Sequence, residues 1–302
     1  MTATPSAAQA VPEGFAPFRR HGAFAAAMGP FYEQPLGDRR YRYGFLAEAR
    51  HCNPQGTIHG GAMYSFADHM AGHAVVHATG RICATLKLKV EFMAAPPVGG
   101  WIEGRCEIYR TTRTLAFVRI RLSSGPRHVM TADGCFRLFG EIPLRRDTPG
   151  QAGEPMDELA PEPHPAPAIA EGYKAFSLQG EFAGIYGPMQ YRREADGRFL
   201  CGLATHAGHD NSTGVVHGGV LFAFADDLMG RAVSATSRRY SSTIALDVSY
   251  LDAAPLGAWL EGRAEIQGLD DDLCFIRSTV SHDGRPLLSA AGVWRLFRRF
   301  DG

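Results

Sequence analysis

The stretch NPQGTIHGGAMYSFADHM, residues 53–70, returns as NSTGVVHGGVLFAFADDLM at residues 211–229. Each copy carries an Asn, then a His-Gly-Gly, then an Asp nine residues after the His, inside an otherwise apolar run. His59 and His217 stand 158 residues apart, and Asp68 and Asp226 keep the same spacing. The offset extends far beyond the quoted segment. Gly14 matches Gly172, Gly29-Pro30 matches Gly187-Pro188, Trp101 matches Trp259, Glu103–Arg105 matches Glu261–Arg263, and Arg137–Phe139 matches Arg295–Phe297. Two copies of this length are a duplicated domain and read as a fused dimer.

The copies are expected to span residues 14–140 and 171–302, behind a flexible tail at 1–13. Residues 141–170 hold seven prolines and several acids, so they read as an extended, semi-rigid linker. Such a segment is long enough to carry the chain back to the start of an equivalent fold.

Within one copy, Ala62, Met63, Phe66, Ala67, Met70, Ala71, Ala74 and Val75 recur at helical spacing. A helix apolar over so much of its circumference must be buried against something wide. Strict alternation follows. Leu86, Leu88, Val90 and Phe92 are expected on one face, and Lys87, Lys89 and Glu91 on the other. Further strands are expected at Trp101–Tyr109, Leu115–Leu122 and Val129–Phe139, with hairpin turns at Ser123–Arg127 and His282–Pro286. The pattern is α+β, with an antiparallel sheet wrapped around one long helix.

Composition narrows the function. Lys plus Arg and Asp plus Glu number 31 each, so no basic field exists to gather nucleic acid. No window approaches the roughly 20 apolar residues of a membrane span. The N-terminal MTATPSAAQAVPEG lacks the basic and apolar regions of a secretory leader. Six cysteines without pairing or regular spacing suit a reduced, cytoplasmic setting.

Taken together, the Asn, the His-Gly-Gly and the Asp on a helix, followed by a strand that opens with a hydroxyl residue, resemble the hotdog-fold acyl-CoA thioesterases. The nearest pattern is that of the PaaI-like branch of the 4-hydroxybenzoyl-CoA thioesterase superfamily. The resemblance covers both copies, and it implies two tandem hotdog domains packed as a pseudo-dimer with sites at their interface. It also implies acyl-CoA as substrate, with CoA belonging to the substrate and no separate cofactor or metal. The N–H of Gly60 and of Gly218 would then hold the thioester oxygen. Asn53 and Asn211 would assist with their amides. Thr85 and Thr243 would hydrogen-bond the water or the carboxylate. A homodimer of double hotdogs is a further expectation.

The chemistry also follows from the residues. A thioester carbonyl needs a partner for its developing negative charge, and a helix N-terminus supplies one. Asp68 and Asp226, set among apolar neighbours, should be desolvated and therefore stronger bases. Each can deprotonate water or attack the acyl carbon itself. Gly60 and Asp68 lie eight residues apart on one helix, about 12 Å along its axis. Both cannot reach one carbonyl. Hence Asn53 and Gly60 should work with Asp226 and Thr243, and Asn211 and Gly218 with Asp68 and Thr85. Each copy then supplies half of two sites.

Plainer readings compete. A buried Asp is often a structural acceptor, but its recurrence beside Asn and His-Gly-Gly favours chemistry. His59 and His217, with Gly61 and Gly219, read as structural residues of the site loop. His69, His73 and His77 suggest a zinc stripe, yet their counterparts are Asp227, Arg231 and Ala235. They read instead as a polar helix edge. Two other functions stay open: a non-catalytic acyl-CoA sensor, and an enoyl-CoA hydratase on the same fold.

Overall fold

The computed structural model describes residues 10–17, 22–141, 168–177, 179–195 and 199–300. The expected tail at 1–13 and linker at 141–170 therefore lie mostly outside the described residues. The first half contributes β1 (Ala16–Pro17), α1 (Ala23–Met28), β2 (Phe31–Gly37), β3 (Arg40–Leu46), α2 (Gly60–Thr79), β4 (Arg81–Phe92), β5 (Trp101–Thr111), β6 (Leu115–Ser124) and β7 (Arg127–Glu141). The second half repeats this order as β8 (Lys174–Ala175), α3 (Ala183–Tyr186), β9 (Gln190–Arg193), β10 (Phe199–Ala204), α4 (Gly218–Ser237), β11 (Arg239–Tyr250), β12 (Trp259–Leu269), β13 (Leu273–His282) and β14 (Arg285–Arg299). Among the described residues, no helix is long and apolar enough to cross a membrane.

All strands belong to one antiparallel sheet, ordered β1-β2-β3-β5-β6-β7-β4-β11-β14-β13-β12-β10-β9-β8. The order is a palindrome about the β4–β11 seam. There Lys89 pairs with Asp247, its own counterpart in the repeat. The chain is thus two α+β halves related by a local two-fold axis, each with its sheet wrapped around a long helix. The expected strands fall inside β5, β6 and β7. The second hairpin turns at Asp283-Gly284, both at positive φ, as a two-residue turn between twisted strands requires.

The two-fold axis also governs the helices. Tyr64 of α2 stacks on Phe222 of α4, its counterpart, with ring centroids 3.6 Å apart and planes within 7°. The helices cross closely on either side of this stack. A Cβ on Gly61 would lie 2.9 Å from Ala223 Cβ, and one on Gly219 would lie 2.3 Å from Ser65 Oγ. Only glycine fits at Gly219. One side of α2 packs on its own sheet through Phe66, Met70 and Val75, all fully buried. The opposite side meets α4. Burial on both sides explains why the helix is apolar nearly all round. Each such buried side chain contributes about 2 kcal/mol.

One expectation changes in β4. The register to β7 slips between Thr85 and Lys87, and that of β11 to β14 slips between Thr243 and Ala245. Leu86 and Ile244 are therefore bulge residues. Unbroken alternation from Leu86 would turn Thr85 outward with Lys87. The extra residue turns Thr85 inward instead, as bulges beside functional sites do. Leu88 and Val90 remain buried as expected.

Candidate functional site

Each long helix begins at the same trio. His59 is the N-cap of α2, and its Nδ1 accepts a hydrogen bond from the Gly61 N–H at 2.8 Å. His217 does the same for Gly219 at 2.9 Å in α4. The helix ends are thereby capped one residue past the first glycine. The N–H groups of Gly60 and Gly218 have no intrahelical acceptor, and among the described residues no other acceptor takes them at the positive helix ends.

The opposite half supplies an acid at each end. A Cβ built on Gly60 would lie 3.4 Å from Asp226 Oδ2, and one built on Gly218 would lie 2.8 Å from Asp68 Oδ2. The structure brings Gly60 to Asp226 and Gly218 to Asp68, not Gly60 to Asp68. Thr85 Oγ1 donates to Asp68 Oδ1 at 2.6 Å, and Thr243 Oγ1 donates to Asp226 Oδ1 at 2.8 Å. In each case the threonine holds one carboxylate oxygen while the other faces the helix end.

Both acids are nearly inaccessible, 7% exposed for Asp68 and 6% for Asp226. Burial pushes the Asp68 carboxyl up to about 6, against the opposing hydrogen bond from Thr85. Burial also pushes Asp226 up to about 6, with Asp227 adding to the rise and His59 and Thr243 opposing it. A carboxylate poised near 6 is ionised at neutral pH, yet is a far better base than an exposed one.

Asn53 and Asn211, expected to assist at the oxyanion, hydrogen-bond within their own loops. Asn53 Nδ2 donates to Thr57 Oγ1 at 2.8 Å, and its Oδ1 accepts from the N–H groups of Gln55 and Thr57. Asn211 Oδ1 accepts from Thr213 N–H and Oγ1. These bonds close the loop before each helix, as Asx turns do. The sequence pattern alone cannot separate an amide aimed at a ligand from one that shapes its own loop.

The histidine stripe is a polar helix edge covered by the neighbouring strands. His73 Nε2 contacts Glu33 Oε2 at 3.1 Å, and its Nδ1 meets Tyr43 Oη at 3.2 Å. His77 Nδ1 meets Tyr41 Oη at 3.1 Å. The stripe packs under β2 and β3, whose partners are 30 or more residues away in sequence. At its start, His69 Nδ1 lies 3.4 Å from His217 Nε2 across the interface.

The equivalent contact in the other site is stronger. His59 Nε2 lies 3.0 Å from Asp227 Oδ1, and Tyr186 Oη donates to Asp227 Oδ2. Burial opposes charge on His59, but Asp227 outweighs it and raises the imidazole. With Nδ1 accepting from Gly61, the ring proton sits on Nε2, toward Asp227. Burial instead lowers His217 to about 4.

Several site residues escaped the sequence reading. The starts of α1 and α3 reach across to the opposite loop. Phe24 N–H donates to Asp210 O, and Phe182 N–H donates to Cys52 O. Their rings pack on the capping histidines, Phe24 on His217 and Phe182 on His59, at 5.1 and 5.0 Å. The matching offset of Phe24 and Phe182 was the available signal. Phe92 and Tyr250 close the wall beside Gly60 and Gly218. His51 and His209, without an evident role in sequence, are fully buried. His51 bonds Met28 O at 2.9 Å and so fastens its loop to the end of α1.

Known proteins resemble this chain in sequence and in fold. The sequence profile of the thioesterase superfamily matches residues 55–131 and again 213–289. A Pseudomonas aeruginosa protein named as a candidate esterase is 32% identical over 130 residues, 42% of this chain and 97% of its own length. Among solved structures, a conserved Alicyclobacillus acidocaldarius protein of unknown function with a hot dog fold superposes with a TM-score of 0.63 at 17% identity, covering 92% of this chain and 99% of its own. An acyl-CoA thioesterase II from Mycobacterium marinum gives 0.57 at 10% identity, covering 93% and 98%. These structural likenesses concern the fold, which is a tandem hotdog.

Proposed function

Because the chain belongs to the thioesterase superfamily, we propose that it hydrolyses acyl-CoA thioesters at two composite sites, within the PaaI-like branch. The observation that carries this reading is the crossed placement of the acids, with Asp226 Oδ2 facing Gly60 and Asp68 Oδ2 facing Gly218. The fold neighbour titled acyl-CoA thioesterase supports this substrate class, and the esterase-named relative supports hydrolysis.

The thioester oxygen sits on the free N–H of Gly60 at the positive end of α2, and the absent glycine side chain lets it approach. Asp226, ionised and held through Oδ1 by Thr243, presents Oδ2 to the carbonyl carbon. That oxygen either takes a proton from an attacking water or adds to the carbon itself. In both routes the tetrahedral oxyanion is stabilised by the helix end. The carbon–sulfur bond then breaks. CoA leaves as a thiolate that takes up a proton. In the water route the acyl group leaves at once as the free acid. In the direct route it stays on Asp226 as a mixed anhydride until water hydrolyses it to the free acid and restores the carboxylate. The second site repeats these steps with Gly218, Asp68 and Thr85. CoA is part of the substrate, and no cofactor enters.

The test is release of free thiol from phenylacetyl-, benzoyl-, hexanoyl- and lauroyl-CoA, trapped by a chromogenic thiol reagent. The double variant Asp68→Asn, Asp226→Asn should lose activity by a factor of roughly 10² to 10⁴. A chain that binds these acyl-CoAs and releases no CoA would overturn the reading in favour of a sensor.

A further inference from the structure

The two sites are built from equivalent positions, yet their walls differ by two oxygens. Beside Gly60 stands Phe92, whose Cζ would lie 3.2 Å from a Cβ on that glycine. Beside Gly218 stands Tyr250, whose Oη would lie 3.3 Å from the equivalent point, with Asp68 Oδ2 at 2.8 Å. Tyr250 Oη is 2.9 Å from Gly218 O and 3.0 Å from Tyr64 Oη. The counterpart of Tyr64 is Phe222, so the second hydroxyl is also missing from the Gly60 side.

Counting protons shows what this pair offers a ligand. A carbonyl oxygen can only accept, so the Tyr250 proton goes to Gly218 O. Tyr64 must then donate to Tyr250 Oη. Both hydroxyl protons are committed within the protein. Tyr250 Oη keeps one lone pair, and the residue is half-buried beside Gly218. Tyr64 is fully buried behind it. The group that completes the Tyr250 oxygen must therefore be a hydrogen-bond donor. At Gly60 the equivalent ring offers only carbon.

We infer that the two sites divide their substrates: the Gly218–Asp68 site takes an acyl group with a hydroxyl close to the thioester, and the Gly60–Asp226 site takes a plain hydrocarbon acyl group. This rests on the thioesterase reading and assigns each site its substrate class. The physical cause is unequal desolvation. A substrate hydroxyl buried against Phe92 loses its water without a partner, whereas against Tyr250 it gains one.

The experiment uses full chains with one site disabled. Asp226→Asn keeps the Gly218–Asp68 site, and Asp68→Asn keeps the Gly60–Asp226 site. For each, kcat/KM is measured on both enantiomers of 3-hydroxyhexanoyl-CoA and on hexanoyl-CoA. The hydroxy-to-plain ratio, for the better enantiomer, should be roughly tenfold higher in the Asp226→Asn chain, the size of one well-made hydrogen bond. Adding Tyr250→Phe to that chain should bring its ratio down to that of the Asp68→Asn chain. A merely structural role for Tyr250 would lower both substrates alike and leave the ratio in place, which would overturn the proposal. Equal ratios in the two single-site chains would overturn it as well. If the unaltered chain hydrolyses neither compound, calorimetric binding decides the division of substrates, and the thioesterase reading fails only if phenylacetyl-, benzoyl- and lauroyl-CoA release no thiol either. A roughly tenfold loss of 3-hydroxyhexanoyl-CoA affinity at one of two sites in Tyr250→Phe, without such a loss for hexanoyl-CoA, then supports it. An unchanged affinity, or no binding of either compound, overturns it.

Discussion

Asp68→Asn and Asp226→Asn should each make the folded chain more stable at pH 8 while removing one site. Burial raises both carboxyls from an ordinary 3.8 to about 6. The folded pKa lies above the unfolded one, so the folded state binds the proton more tightly. The stability linked to each group is whole below the unfolded pKa of 3.8 and is lost as pH rises through about 6. At pH 8 the gap corresponds to about 3 kcal/mol per carboxylate that the fold must bear. Asparagine carries no charge, and its Oδ1 can still accept from Thr85 or Thr243. Its amide N–H groups need acceptors in a buried place, which offsets part of the gain. The net expectation is about 1–2 kcal/mol of added stability per site at pH 8. At pH 5 the folded Asp is mostly protonated, which removes about 1.4 kcal/mol of that penalty, so the net gain should fall close to zero. Urea denaturation of the parent and both variants at the two pH values measures this. A variant less stable than the parent at pH 8, or a gain that does not change with pH, would refute the reasoning.

The same carboxyls set the pH profile of hydrolysis: kcat/KM should fall about tenfold per pH unit below an acid limb near 6, in a stopped assay of released CoA from pH 4.5 to 8.5. Thr85→Val and Thr243→Val each remove a hydrogen bond that lowers the neighbouring Asp, so the acid limb of the affected site should move up in pH. Asp227→Ala leaves His59 Nε2 and Tyr186 Oη without their shared acceptor. It should cost about 1–3 kcal/mol in denaturation and should slow the Gly60 site more than the Gly218 site, read in single-site backgrounds.

Much of this architecture was legible in the residues. The constant 158-residue offset between His59 and His217 exposes the duplication without any structural knowledge. The eight residues between Gly60 and Asp68 already forbid a site within one helix, because a helix rises a fixed distance per residue. What stayed hidden depends on contacts distant in sequence. The bulges at Leu86 and Ile244 interrupt no hydrophobic pattern, so alternation reads straight through them. His69, His73 and His77 read as a polar helix edge, but their partners on β2 and β3 lie too far off in sequence to be named from it. Asn53 and Asn211 carry the right amide at the right spacing, but their loops use it for closure. The difference between Phe92 and Tyr250 was visible as one letter, and its meaning required knowing that both stand beside the helix ends.

The crossed pairing of glycine and acid can be tested directly with two double variants. The account places Asp226 and Gly60 in one site, and Gly218 in the other. Asp226→Asn combined with Gly60→Ala should therefore retain the thioesterase activity of Asp226→Asn alone, since both changes fall on a site already lost. Asp226→Asn combined with Gly218→Ala should abolish the remainder. The reverse outcome, with Gly60→Ala abolishing activity in the Asp226→Asn chain and Gly218→Ala sparing it, would place each acid with the glycine of its own helix and contradict the account.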